Sequence, residues 1–515
     1  MARVIDIDLT PEQYYVERQR NEAVARQLGV CADEVTAVRV IRRSLDSRRG
    51  IRYHTQAEVY LQGETPEPIS YAGNYRDCRN AKPVVIVGAG PAGLFAALRA
   101  LEVGLRPIIV ERGKPVGSRG RDLRPIVLES RVNPDSNWCF GEGGAGTFSD
   151  GKLYTRSTKR GNVQEVLRHF VEHGAEPDIM IDAHAHIGTD RLGGIISRIR
   201  TTIEEYGGEY HFSTRVTDLV EREGRVVGVR TEDGTTIEGV AVILATGHSA
   251  RDIYELFFRR GWLLESKPFA LGVRVEHPQS LINSIQYHTP NYSRYLPAAA
   301  YSLTTQVDGH GVFSFCMCPG GVIVPAATDA MQQVVNGMSN SHRNSPFANS
   351  GIAVTVSDAD VPQYEKYGAL SLLRFQQEVE RRVYEQAGCT THAPTQRLTD
   401  FCENRASTRL NKSGYMGTTV SASLRESLPD FVVGCLQRAF RDFDRKMRGF
   451  YTAEASVLAV ESRTSSPVRI PRGSDYQHPQ LRGLYPCGEG AGYAGGIVSS
   501  ALDGINCINA FVEGK

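Results

Sequence analysis

No stretch of the 515-residue chain approaches the ~18 consecutive apolar residues that a membrane-crossing helix requires, so no span is expected. The N-terminus, MARVIDIDLTPEQYY, lacks the basic-then-apolar layout of a secretory signal, and the expected location is cytoplasmic. An excess of one charge is missing too: 59 Lys and Arg oppose 58 Asp and Glu, for a net +1. Such a balance creates no field to draw in a polyanion, which argues against nucleic acid and anionic membrane as partners. The ten cysteines are scattered without a C-x-x-C pair, so neither a disulfide framework nor a zinc ribbon is expected. Internal repeats and low-complexity tracts are also lacking.

Glycine, by contrast, is abundant. The 51 glycines make up about a tenth of the chain, against an average usage of roughly 7%. They cluster around Gly88, Gly143 and Gly490, and glycine collects where backbone must approach a ligand closely. A chain this long divides into two or three packed units. Residues 1–80 read as strand, helix, strand, strand, which suggests a small ferredoxin-like α+β domain with a basic hairpin tip at Ser47–Gly50. Residues 81–260 and 461–515 read as the two parts of an α/β, doubly wound Rossmann-type domain. Residues 261–460 form a mixed α+β substrate or cap domain inserted between those parts. In the insert, strands are expected near Ala270–Glu276 and Val312–Cys318. A helix entered through Pro429–Asp430 places Val432, Leu436, Ala439, Phe443 and Met447 on one face.

The segment VVIVGAGPAGLFAALRALEVGLRPIIVERG carries the strongest signal. Gly88, Gly90 and Gly93 form G-x-G-x-x-G directly after a buried-type strand and directly before a helical pattern. The first glycine makes the turn, the second admits a pyrophosphate to the backbone, and the third lets helix pack on strand. Glu111 ends the next strand, 18 residues past Gly93, where a carboxylate accepts hydrogen bonds from the adenosine ribose hydroxyls. A second G-x-G-x-x-G at Gly141, Gly143 and Gly146 follows WCF rather than a strand, and is rejected as a second dinucleotide fold. Near the C-terminus, GLYPCGEGAGYAGGIVSSALDG reads as a strand, a glycine-rich turn and a helix. That distant completion of the site favours FAD over NAD. Glu489 is placed to bond the ribityl or pyrophosphate region, and N–H groups at Gly495, Gly496 and Ile497 to face the flavin edge where negative charge appears on reduction.

Beyond these patterns, the chain resembles a bacterial family of FAD-dependent dehydrogenases, related to the group that contains geranylgeranyl reductase-like flavoproteins. The resemblance runs through RRSLDSR, GAGPAG, GEGGAGTFSDGKL, HIGTD, ATGHSARD, KPFALGVRVEHPQ, FCMCPGG, NSPFANSG and ESRTSSPVRI. It implies FAD held by Gly88, Gly90, Pro91, Ala92 and Gly93, by Glu111 and Arg112, and by Gly144, Gly146, Thr147, Phe148, Asp150, Gly151 and Lys152. It further implies Val216, Ala245, Thr246, Gly247, Gly488, Glu489, Gly495, Gly496 and Ile497. No substrate follows, because the family is named for its cofactor. The chain departs from the expected pattern at residues 402–426, where a proline-containing loop is anticipated.

Candidates for the chemistry are Cys316, Cys318, His248, Arg274 and Arg463, each with a plainer alternative. On a regular strand the two cysteines point to one face, about 6.6 Å apart at ~3.3 Å per residue, as a thiol pair relaying electrons would. Two small buried residues are the favoured alternative. His248, Arg274, Glu276 and His277 border an expected substrate pocket, and Arg463 is a candidate carboxylate-binding group. His184 and His186 form H-x-H between Asp182 and Asp190, but no metal is expected, since the other ligands are missing from the pattern. These readings describe an FAD oxidoreductase passing a hydride between flavin N5 and an unidentified small molecule, with NAD(P)H a candidate electron partner. A flavin monooxygenase and a non-catalytic redox sensor or adaptor are the alternatives.

Overall fold

A computed structural model describes residues 2–155 and 160–514. The chain begins with a three-stranded antiparallel sheet in the order Arg3–Leu9, Arg52–Leu61, Val35–Asp46. Helices Pro11–Tyr15 and Glu17–Leu28 cross between the first two strands in sequence. Thr10 and Gln13 form a reciprocal capping box that starts the first helix, and Gly29, at φ 71°, ends the second. The result is a split β-α-β unit with one more strand between the outer two. It has the first four elements, β-α-β-β, of a ferredoxin-like topology and lacks the second helix and fourth strand of the complete form.

The next unit is a five-stranded parallel sheet, ordered Leu484–Pro486, Val242–Leu244, Pro83–Val87, Arg106–Val110, Glu209–His211. Its central strand is apolar throughout because it is buried on both faces. Val84 and Ile86 join a core with Phe95, Leu98 and Ile109, while Val85 and Val87 join another with Val229, Val242 and Phe257. Helices Pro91–Val103, Thr189–Glu205 and Ile497–Val512 cover the first face. A small antiparallel sheet (Val216–Arg222, Arg225–Thr231, Thr236–Glu238) and helix Arg251–Arg260 cover the second. An edge strand and a face helix therefore both come from the last 35 residues of the chain, packed on elements near residue 90. The contact is close: a Cβ at Gly504 would stand 2.1 Å from the Ala92 carbonyl oxygen.

Between these segments runs a seven-stranded sheet, ordered Thr304–Val307, His310–Cys318, Phe347–Val356, Phe269–Pro278, Ser456–Glu461, Ala393–Arg397, Thr419–Ser421. Its strands are antiparallel except for the last pair. Helix Asp430–Lys446 follows Pro429 and buries Val432, Leu436, Ala439 and Phe443 against the sheet; Met447 is also buried but lies just past the helix end. The strand holding Cys316 and Cys318 departs from the regular pleat. Its register shifts between Phe315 and Cys318, and Cys316 takes a φ of 42°. The expectation of two thiols on one strand face is therefore corrected: Cys316 is exposed and Cys318 is buried.

Candidate functional site

One cavity of about 1250 Å³ lies where the three units meet. At its inner end the chain approaches with bare backbone. Gly88 turns at φ 106° after the central strand, where a side chain would collide with the Ala245 carbonyl at 2.4 Å. At Gly93 the obstruction is the Gly88 carbonyl, only 1.9 Å from a Cβ, so this glycine serves helix–strand packing and does not line the cavity. Gly90 is different. A Cβ there would find nothing nearer than the Gly144 Cα at 4.0 Å, which leaves the second glycine open to a ligand. Helix Pro91–Val103 starts at Gly90 and helix Ile497–Val512 starts at Gly496, both without a side-chain cap, and both starts line the cavity. Two sets of orphan N–H donors, each at the positive end of a helix dipole, converge there. At Gly495 and Gly496 nothing lies within 4 Å of a Cβ position. Open glycines and uncapped helix starts fit a pyrophosphate and a flavin edge.

Glu111 lines this end as expected, but it also does something the sequence reading missed. Its carboxylate accepts backbone N–H bonds from Ala89 at 2.9 Å, Gly113 at 2.9 Å and Gly141 at 3.0 Å, tying both glycine loops together. Arg112 lies over the Phe140 ring, 4.5 Å from its centroid, and pairs with Asp252. The second glycine loop, rejected as a nucleotide fold, packs onto the first, with Gly143 N–H donating to the Ala89 carbonyl at 2.8 Å. It is held from behind by Arg119, a fully buried residue. The guanidinium donates to the carbonyls of Glu142 (2.7 Å), Gly144 (2.9 Å), Asn137 (2.7 Å) and Trp138 (3.1 Å) and to Thr147 Oγ1 (3.2 Å). Burial pulls its pKa down to about 10, still high enough to keep the charge. Thr147 and Phe148, both expected to touch the cofactor, face Arg119 and do not line the cavity.

Gly488 also lies behind the wall. Its N–H donates to Asp503 at 2.7 Å, and Asp503 is gripped by Arg472 at 2.6 and 2.9 Å. Arg472 in turn is stacked between Tyr476 and Tyr493, 4.2 and 4.0 Å from their centroids. The C-terminal turn that presents Glu489 is thus held by a buried ion pair. Neither Arg119 nor Arg472 stands out in the sequence, since an arginine in a polar segment reads as a solvated cation. Pro91, Ala92, Gly144, Gly146, Asp150, Gly151, Lys152, Val216, Ala245, Thr246, Gly247, Glu489 and Ile497 all line the cavity. Asp150 is paired with Arg343 at 2.5 and 3.0 Å.

The chemical candidates separate clearly. His248 lines the cavity with Nδ1 3.3 Å from Glu489 Oε1. Arg274 does not line it. This fully buried guanidinium is engaged by Glu461 at 2.5 Å, Asn349 at 2.9 Å, Asn336 at 3.1 Å and the Cys316 carbonyl at 2.6 Å. Arg463 borders the cavity, yet each of its nitrogens is engaged, by Glu380, Ser249, Thr328 or Gln332 at 2.8–3.2 Å. Burial opposes ionisation of Glu380, but Arg251 and Arg463 outweigh it and hold the carboxyl at about 2. Glu276 and His277 are buried away from the cavity, against the Gly414 N–H and the Phe450 carbonyl. Cys316 and Cys318 both line the cavity. The exposed surface of Cys316 faces the cavity; the protein packed around it pushes this thiol up to about 12, and burial raises Cys318 as well, so both sit as neutral thiols. His184 and His186 line it too, and among the described residues neither belongs to a group of three possible metal ligands. None of residues 402–426 reaches the cavity.

A strand, glycine loop and helix completed by a distant glycine turn on the same sheet define a dinucleotide-binding flavoprotein. Comparison with known proteins agrees. Residues 82–256 match the pyridine nucleotide-disulphide oxidoreductase model and residues 195–329 the FAD dependent oxidoreductase model. Residues 268–464 match the C-terminal-domain-like model of FAD-dependent proteins, and residues 1–60 a domain of unknown function. An uncharacterized protein of Clostridium beijerinckii is 38% identical over 512 residues, 95% of each chain. The chain belongs with it to a family of FAD-dependent oxidoreductases, and FAD is the cofactor. Protein FixC of Escherichia coli K12 is 29% identical over 207 residues, which are 38% of this chain and 44% of its own. A geranylgeranyl bacteriochlorophyll reductase-like protein of Thermoplasma acidophilum aligns over 83% of this chain and 77% of its own, with 11% identity and a TM-score of 0.33. Among the described residues, no helix is long and apolar enough to cross a membrane.

Proposed function

We propose that the protein is a dehydrogenase or reductase that passes a hydride between FAD and an organic substrate held in the same cavity. The observation that supports this reading is an imidazole–carboxylate pair, His248 and Glu489, on the wall of a cavity that continues from the dinucleotide end into a second half lined by the inserted and N-terminal units. Bound FAD supplies the two-electron chemistry at its flavin ring. The chain's own residues bind, orient and exclude water. Gly88, Gly90 and the start of helix Pro91–Val103 take the pyrophosphate, and Glu111 fixes the loop that meets the ribose. The start of helix Ile497–Val512 sets positive partial charge against a ligand that gains electrons. With Nδ1 facing Glu489 Oε1 at 3.3 Å, Nε2 of His248 is the nitrogen that exchanges a proton with the substrate.

This reading is tested by anaerobic photoreduction of the purified holoprotein, followed by fractionated cell extract with metabolite profiling. An organic compound that reoxidises the flavin without oxygen is the expected result. His248→Asn should lower kcat by ~10²–10⁴-fold without lowering FAD content. A product carrying an oxygen atom from O₂ would replace the reading with a monooxygenase. A flavin reoxidised with no metabolite changed would replace it with a redox sensor.

A further inference from the structure

We infer that the N-terminal unit forms one wall of the substrate half of the cavity, and that this half takes a flat, uncharged, largely apolar molecule. The inference rests on the oxidoreductase reading above and gives the substrate its class. It begins with Arg43, in the strand Val35–Asp46. The backbone there bridges to the histidine loop of the parallel-sheet unit: Arg43 N–H donates to the Ile181 carbonyl at 2.9 Å, and Ala183 N–H to the Arg43 carbonyl at 3.1 Å. The Arg43 guanidinium bonds Asp182 at 2.7 Å, Asp178 at 3.0 Å and the Tyr14 hydroxyl at 2.7 Å. A second set of contacts reaches the inserted unit. Ser293 donates to Glu12 at 2.6 Å, Tyr15 stacks on Tyr295 with centroids 5.6 Å apart, and Leu45 packs against the inserted core. The unit is clamped to both neighbours across the cavity, which makes it part of the site's wall.

The surface it presents is aromatic and faces more of the same. Tyr15, Leu45 and Tyr53 line one side, with Tyr287, Tyr301 and Met317 from the inserted unit also lining this half. Rings of this kind bury large apolar area and stack on flat partners. Charge points the same way, because the cations and carboxylates here cancel. Arg43 is paired with Asp178 and Asp182, Arg343 is paired with Asp150, and Lys152 lies 3.9 Å from Asp150 and donates to the Met317 carbonyl. The three cations and three carboxylates sum to zero, so a charged substrate would be desolvated here with no net field to offset the cost. Space permits a second molecule, since about 1250 Å³ exceeds the roughly 300–1,000 Å³ of a single-ligand pocket.

The probe is 2-methyl-1,4-naphthoquinone, a flat neutral bicycle, added to the oxidised holoprotein and followed by quenching of flavin fluorescence. The comparison ligand is 1,4-naphthoquinone-2-sulfonate, the same ring with a charge. Neutral probe should bind at least tenfold tighter than the sulfonate. Tyr15→Ala and Leu45→Ala should each weaken it tenfold or more without lowering FAD content. Ser47→Trp, at a half-buried position that itself lines the cavity, should block it even where the first two variants fold poorly. Equal binding of the two probes overturns the substrate class, and unchanged binding in all folded variants overturns the wall. The oxidoreductase reading fails differently: its flavin would be reduced by dithionite yet pass electrons to no organic acceptor.

Discussion

The two ends of the cavity are built by different means. The inner end recognises its ligand with backbone: glycines without a Cβ, two uncapped helix starts and a carboxylate that orders loops. The outer end is made of side chains from residues as far apart as Tyr15, His184, Tyr301 and Cys316. Backbone recognition suits a cofactor that every member of a fold must hold. Side-chain walls are where substrates are distinguished, so the same fold carries many reactions. The contrast predicts that substitutions at the inner end abolish the flavoprotein, whereas those at the outer end leave it yellow and change what it accepts.

The largest effect should come from the two glycines that serve the inner end in opposite ways. Gly93→Ala drives a methyl into the Gly88 carbonyl, 1.9 Å from the Cβ position, and both groups are backbone-anchored. We expect a cost above about 4 kcal/mol and no soluble FAD-containing protein. Gly90→Ala adds the same methyl to open space, at a φ of −77° that alanine adopts freely. Here the fold should melt within a few degrees of wild type while FAD affinity drops about tenfold or more, ~1.4 kcal/mol. Calorimetry and FAD titration of the two proteins check this. Equal damage from both would mean that the second glycine is a packing glycine as well.

Glu111 gives the next largest effect and shows where the sequence stopped being legible. Spacing alone placed a carboxylate at the strand end for the ribose, but three backbone donors already meet it. Glu111→Ala should leave buried N–H groups unsatisfied at roughly 1–3 kcal/mol each, lowering thermal stability as well as FAD affinity by one to two decades. A drop in affinity with unchanged melting would return Glu111 to a pure ligand role. The same limit recurs through the molecule. Val84–Val87 and the face of helix Asp430–Lys446 were readable, because period and run length are local properties. The docking of Arg43 on Asp182 joins positions 139 residues apart, and no local pattern encodes that. Arg119 and Arg472 were invisible for a related reason: what makes them structural is burial, which composition cannot supply.

The smallest expected effect belongs to the outer end, and it tests whether a side-chain wall can hold redox chemistry of its own. Regular strand geometry would have put Cys316 and Cys318 on one face, while the bulge instead exposes one and buries the other. Cys316 opens only onto the protein-walled cavity, whose desolvation holds it at about 12, and burial holds Cys318 above its usual value, with Lys152 partly opposing both rises. A thiol is reactive only as thiolate, and the thiolate fraction falls tenfold for each unit that the pKa stands above the pH. At pH 8 Cys316 should therefore alkylate very slowly with iodoacetamide, and the rate should climb steadily up to pH 10. Anaerobic dithionite titration should stop at two electrons per FAD, and Cys318→Ser should leave that endpoint unchanged. A four-electron endpoint that Cys318→Ser returns to two would instead make the pair a second redox centre. Because a strained disulfide has a higher potential, its electrons would enter before the flavin bleached. In that case the outer end would do more than select a substrate, and the division between a cofactor end made of backbone and a recognition end made of side chains would no longer hold.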